Sequence, residues 1–174
     1  MPTRPGTLTT PASALDAARR GEIIADLNTT LAYLIDVHVS AKQAHWNIHG
    51  PNFAGLHALF DTIAEEGRQY ADLVAERVLA LRGTAHGTIS DVAGAKEIGA
   101  FPTDEQAWEK LTSLMHERLM KTSERMRKAA TSMDDELATQ DIYIEIIRGL
   151  DKWAWMLEAH LSEGNNANGS RSSR

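Results

Sequence analysis

Four side chains able to bind a divalent cation, His57, Asp61, Asp72 and Glu76, fall within one helix-patterned segment. At ~100° per residue, Asp61, Asp72 and Glu76 lie roughly 40°, 60° and 100° around from His57, so all four share one stripe. Imidazole with carboxylate suits a borderline divalent ion, and a site with few protein ligands leaves positions open for oxidant or water. Along the axis, however, Asp61 and Asp72 are separated by about 16 Å at ~1.5 Å per residue, too far to share one ion. The arrangement is symmetric about a point between Glu66 and Gly67. A second copy packed antiparallel across a two-fold axis there sets His57 and Asp61 opposite Asp72 and Glu76 of the partner subunit. Gly67 is expected at the crossing, where a missing side chain lets two backbones approach. The spacing therefore predicts a metal site shared between subunits. A second reading stays open, because Glu65 and Arg68 lie on the same stripe, as they would on a solvated, salt-bridged face.

The rest of the composition is compatible with that chemistry. With no cysteine among 174 residues, thiolate ligands and disulfides are excluded, and nitrogen and oxygen donors favour iron, manganese or zinc. The formal net charge of −6 argues against a broad nucleic-acid surface and suits attraction of cations. A hydrophobic fraction of 43% and a charged fraction of 24% are those of one globular domain. No apolar run approaches the ~20 residues needed to span a bilayer. The opening MPTRPGTLTTPAS lacks the apolar stretch of a secretory signal, so the expected location is the cytoplasm, with no membrane partner.

The elements that must position these residues read as helices. Residues 1–13, rich in Pro, Thr and Gly, are expected to form a flexible arm, and 164–174 a flexible tail, around a folded domain over 14–163. Over 15–46, Ile24, Leu27, Leu31, Leu34, His38, Ala41 and His45 recur at helical spacing, until Gly50-Pro51 breaks the pattern. A second helix is expected over 52–82, with Asn52 as N-cap and Leu56, Phe60, Ile63, Tyr70, Val74, Val78 and Leu81 inward. The Gly-rich stretch 83–102 reads as a long connection in which Val92 to Ile98 could form a short helix. Thr103-Asp104-Glu105-Gln106 has capping-box form and opens a third helix to about Ala130, with Trp108, Leu111, Met115 and Leu119 inward. Ser132-Met133-Asp134-Asp135 opens a fourth, with Leu137, Ile144, Ile147, Leu150, Ala154, Leu157 and Leu161 inward and Gly164 as its end. The fold expected is all-α, a four-helix bundle whose long crossover between helices two and three is the ferritin-like topology. The chain has no Glu-x-x-His, the motif expected of a di-iron site inside one bundle.

The segment Lys42-Gln43-Ala44-His45-Trp46-Asn47, then Gly50-Pro51-Asn52-Phe53, His57, Asp61, and Asp72 through Ala75-Glu76-Arg77, resembles the signature of the Dps family. The likeness covers about residues 15–163 and includes Asp151-Lys152-Trp153 and Trp155. It implies a hollow homo-oligomer of twelve subunits that oxidises Fe(II), preferably with hydrogen peroxide, and stores ferric iron inside. Carried over residue by residue, it assigns His45, His57 and Asp61 of one subunit, with Asp72 and Glu76 of its partner, as ferroxidase ligands. Asp61 and Glu76 are the candidates for the tighter-held iron, since anionic oxygens favour Fe(III). Both histidines must be deprotonated to bind, so iron loading is expected to weaken at mildly acid pH. Zinc or manganese could occupy the same site. By itself His45 also fits a helix-end histidine facing the negative end of the helix dipole.

Trp46 resembles a family tryptophan that donates electrons when oxidant exceeds iron, though its type fits core packing as well. Asp134, Asp135, Glu136, Asp141 and Glu145 cluster where the family lines its iron-inlet pores. Asp141 and Glu145, with Asp135, are the pore candidates, against the simpler reading of acids favouring a helix N-terminus. The alternative function is a nucleoid-associated protein that binds and compacts DNA. The arm carries only Arg4, and the tail sets Arg171 and Arg174 against Glu163 and the terminal carboxylate. DNA binding is therefore expected to be weak or absent.

Overall fold

The computed structural model describes residues 15–95 and 99–169, which form five helices. They are α1 (Ala17–Asn47), α2 (Phe53–Ala80), α3 (Ile89–Gly94), α4 (Trp108–Ala130) and α5 (Leu137–Gly169). The expected arm 1–13 and the last residues of the tail, 170–174, lie outside the described residues.

Cross-helix hydrogen bonds establish the direction of each pair. Between α1 and α2, Asn28 donates to the Thr84 carbonyl just past α2 and His38 Nδ1 lies 2.8 Å from the Ala64 carbonyl. As numbers rise on one helix they fall on the other, so the two are antiparallel. Asp36 with Arg118 and Asp26 with Arg125 make α1 and α4 antiparallel too. It follows that α2 and α4 run parallel, and the connection between them must travel the length of the bundle. This is the ferritin-like four-helix bundle, with α3 as the short helix in the crossover.

Each helix buries one stripe. Leu27, Leu34, Phe60, Val74, Leu111, Met115, Leu119 and Leu157 are completely buried, each contributing about 1.5–3 kcal/mol of transfer free energy. The stripe of α1 is rotated slightly from expectation, with Ile23, Val37 and Ala44 buried and Ile24, His38 and His45 at its edge. On α5 the correction is larger. Leu137 and Ile144 are exposed, while Tyr143 and Ile146 are buried. Tyr143 is held inward by a polar network: its hydroxyl donates to Asp26 at 2.7 Å, and Arg125 donates to Asp26 and Thr30, each at 2.6 Å. Burial, with Asp26 alongside, pushes the Tyr143 phenol well above its ordinary pKa.

Helix starts also moved. Helix α4 begins at Trp108, not Thr103, because the residues before it are committed to other partners. The carboxylate of Glu105 accepts from the backbone N–H groups of Gln106 and Ala107, and the Gln106 carbonyl accepts from His49 N–H at 2.9 Å. Helix α3 sits earlier than expected, since Thr88 and Asp91 form a capping box and fix its start. Helix α5 begins at Leu137 because Asp135 and Glu136 are drawn into ion pairs with Arg19 and Arg77. It continues past Gly164 to Gly169; an interior glycine costs a helix about 1 kcal/mol relative to alanine but does not by itself end it.

Candidate metal centre

The first half of the site is assembled by the turn between α1 and α2. Gly50 has φ of +131°, a conformation that L side chains rarely adopt, and a Cβ there would strike the Trp108 ring. That packing, with the His49 to Gln106 hydrogen bond, pins the turn to the start of α4. The end of α1 and the start of α2 are thereby held side by side, and His45 and His57 meet.

The two histidines are locked reciprocally. His45 Nδ1 lies 2.7 Å from the His57 carbonyl oxygen, and His57 Nδ1 lies 2.8 Å from the His45 carbonyl oxygen. A carbonyl can only accept, so each Nδ1 carries a proton, and in the neutral imidazole each Nε2 then presents a lone pair. This is the outer-shell bracing that orients metal-binding imidazoles. The rings stack with centroids 3.7 Å apart and planes inclined by 24°, and Phe53 lies 4.9 Å from the His57 ring.

Asp61 follows one turn after His57. Its Oδ1 accepts from Lys42 Nζ at 2.6 Å. That hydrogen bond, together with the Lys42 charge, holds the carboxyl below its ordinary pKa against the desolvation that opposes it. His45, His57 and Asp61 thus lie near one another where the end of α1 meets the start of α2.

Asp72 and Glu76 do not join them. Helix α2 is uninterrupted from Phe53 to Ala80, so Asp72 and Glu76 stand exposed about 16 and 22 Å beyond Asp61 along the rod. Among the described residues, no three His, Asp or Glu side chains of this one chain converge as a metal site.

Gly67 has a different role from the one expected. It is buried, and a Cβ there would lie 3.3 Å from His38 N and 3.4 Å from Val37 Cγ1. It lets α1 and α2 of the same chain approach. The outward face at the symmetric midpoint is formed by Glu65, Arg68 and Gln69, all exposed.

Trp46 stands at the end of α1 and is 66% exposed, so it is not a core residue of this chain. Lys42 Nζ lies 5.9 Å from its ring. Asp141 and Glu145 are exposed on α5, one turn apart. Asp134 is exposed as well. Asp135 is bonded to Arg19 at 2.8 Å, and Glu136 is buried against Arg77 at 2.7 Å. Sequence reasoning gave no role to Lys42, Phe53 or the Gly50–Trp108 contact, although all but Trp108 lie inside the motif that carried the histidines.

A cavity of about 600 Å³ lies elsewhere. It is an apolar hollow between α1, α3 and the crossover, lined by Ile35, Val39, Ile89, Val92 and Phe101, and the acid among its described lining residues, Asp36, is engaged by Arg118. Its described residues offer no donor set for a cation.

A family profile for the ferritin-like domain matches residues 24–167. The DNA protection during starvation protein of Agrobacterium fabrum is 36% identical over 151 residues, covering 86% of this chain and 93% of that relative. A solved Dps of Microbacterium arborescens in a high-iron form superposes with a TM-score of 0.80 at 30% identity, covering 87% of this chain and 99% of that one. A Dps of Mycobacterium smegmatis superposes with a TM-score of 0.83 at 28% identity, covering 89% of this chain and 94% of that one.

Proposed function

The chain belongs to the Dps family of ferritin-like proteins, and from that premise we propose that it is a mini-ferritin oxidising Fe(II) at sites shared between subunits. The observation that carries this reading is the reciprocal histidine lock. Two imidazoles whose Nδ1 protons are committed to backbone carbonyls have Nε2 lone pairs available for a metal, beside an ionised Asp61. Asp72 and Glu76 of the partner subunit complete a set of two nitrogen and three carboxylate donors, which fits iron. Zinc or manganese suits the same donors.

Iron here is substrate and cargo. Hydrogen peroxide accepts one electron from each of two Fe(II), its O–O bond breaks, and hydrolysis of the two Fe(III) gives ferric oxyhydroxide with release of four protons. The carboxylates contribute by stabilising the added positive charge. Removing both reagents of hydroxyl-radical chemistry protects DNA, in keeping with the name of the Agrobacterium relative. The assembly we propose is a hollow dodecamer in the cytoplasm, built from the folded domain 14–163, with Asp141, Glu145 and Asp135 near its iron inlets.

The test is peroxide-driven iron oxidation by wild type and by an Asp61→Ala, Glu76→Ala double variant, with particle mass measured alongside. A wild-type particle of twelve subunits that oxidises iron, beside an assembled but inactive variant, supports the proposal. Equal oxidation by both removes the site.

A further inference from the structure

The stripe of α2 that bears the proposed ligands also bears a pair of charges that binds no metal. Arg68 donates to both carboxylate oxygens of Glu65, at 2.7 and 3.1 Å, and the two side chains remain 56% and 53% exposed. They have open sides for another partner.

Positions 65 and 68 are centred on the same point, between 66 and 67, as positions 61 and 72 and positions 57 and 76. A two-fold axis through that point brings together every pair so centred, and each contact occurs twice. The operation that sets the partner's Glu76 against His57 therefore sets the partner's Arg68 against Glu65, and the partner's Glu65 against Arg68. The other contact it creates, Asp61 against the partner's Asp72, is acid against acid. Arg68 is the one cation of α2 on this stripe, since Arg77 is turned toward Glu136.

We propose that Glu65 and Arg68 of two copies form a closed ring of four alternating charges on the two-fold axis, and that this ring sets the register in which the half-sites meet. The proposal rests on the shared-site reading above. Sliding one copy by a helical turn shows why register needs a device. In one direction Glu65 meets the partner's Asp72, which is repulsive. In the other, Asp61 is taken by the partner's Arg68 and lost to iron. Of these three registers, only the centred one offers Arg68 an acid of the partner that is not a ligand.

Two variants of uniform sign test the ring. Glu65→Arg leaves arginine at both positions, and Arg68→Glu leaves glutamate at both, so neither can form the pair within or between its own copies. Mixed, they still lack any pair within a chain but regain both pairs across the axis. Both positions are over half exposed, so the core is untouched, and circular dichroism checks helix content.

Each variant alone is expected to weaken the dimer roughly tenfold or more. The mixture is expected to form heterodimers beyond the statistical half, read by native mass spectrometry, and to recover peroxide-driven iron oxidation. A statistical distribution in the mixture overturns the ring, whatever each variant does alone. If wild type assembles and oxidises iron while the mixture stays statistical, the ring alone fails. If wild type works as a monomer, the shared site fails with it.

Discussion

Lys42 holds Asp61: a cation from α1 lies 2.6 Å from the carboxylate that is proposed to bind iron from α2. For a metal ion to use Oδ1 of Asp61 the ammonium must give way, so Lys42 would compete with the substrate for that oxygen. Lys42→Gln is expected to tighten binding of the first Fe(II) by about two- to five-fold, the scale of an exposed ion pair. Anaerobic titration of wild type and variant measures it. Unchanged or weaker binding would show that Lys42 does not compete.

The shared site predicts complementation. A copy carrying His57→Ala and Asp61→Ala, and a copy carrying Asp72→Ala and Glu76→Ala, are each expected to be inactive. Combined, their heterodimers hold one intact site of two, so random pairing restores about a quarter of wild-type oxidation. No recovery in a mixture shown to form heterodimers rejects the division of ligands between chains.

Arg77 neighbours Glu76 in sequence but serves the fold. It donates to buried Glu136 at 2.7 Å and to Thr139 at 3.0 Å, tying the start of α5 to α2. Arg77→Met leaves a carboxylate buried without its cation and is expected to cost about 3–5 kcal/mol in urea unfolding. A loss under 1 kcal/mol, on the order of a surface pair, would contradict that role.

Glu65 gives a pH signature. Arg68, then Gln69, lowers its carboxyl from 4.5 to about 2. A lowered folded-state pKa adds stability above the unfolded value and loses it as pH falls through the folded one. Wild type and Glu65→Gln should therefore differ in unfolding midpoint at neutral pH and converge between pH 4.5 and about 2. Urea melts across that window test it; a constant difference would place the effect in something other than this charge.

DNA should bind weakly. With a formal charge of −6 per chain, the proposed shell would repel phosphate, and the arm and tail offer few cations. A gel shift is expected to be absent at about 150 mM salt, and one that persists there overturns the expectation.

Much of this was legible in the sequence because helical periodicity and ligand spacing are local properties. The bundle, its crossover and the separation of Asp61 from Asp72 all follow from counting residues along a rod. Gly67 was misplaced because a small residue on a symmetry point suggests a crossing, whereas its angle around α2 turns it toward His38. The capping pattern at Thr103 failed because Glu105 and Gln106 have long-range or loop partners that a local motif cannot reveal. Leu137 and Ile144 were assigned to the core by hydrophobicity, but the polar network around Tyr143 set the rotation of α5. The histidine lock was invisible for the same reason: it depends on two backbone carbonyls meeting across a turn.

That lock has a consequence for when the chemistry can begin. A newly made subunit already has its nitrogen donors aimed and braced, but under the proposed arrangement two of the acids needed to grip the ion would come from a partner. On the proposed division of ligands, catalytic competence would arrive only with the second copy, so an orphan subunit would stay redox-silent and ferric product would form only where a container is being built to receive it.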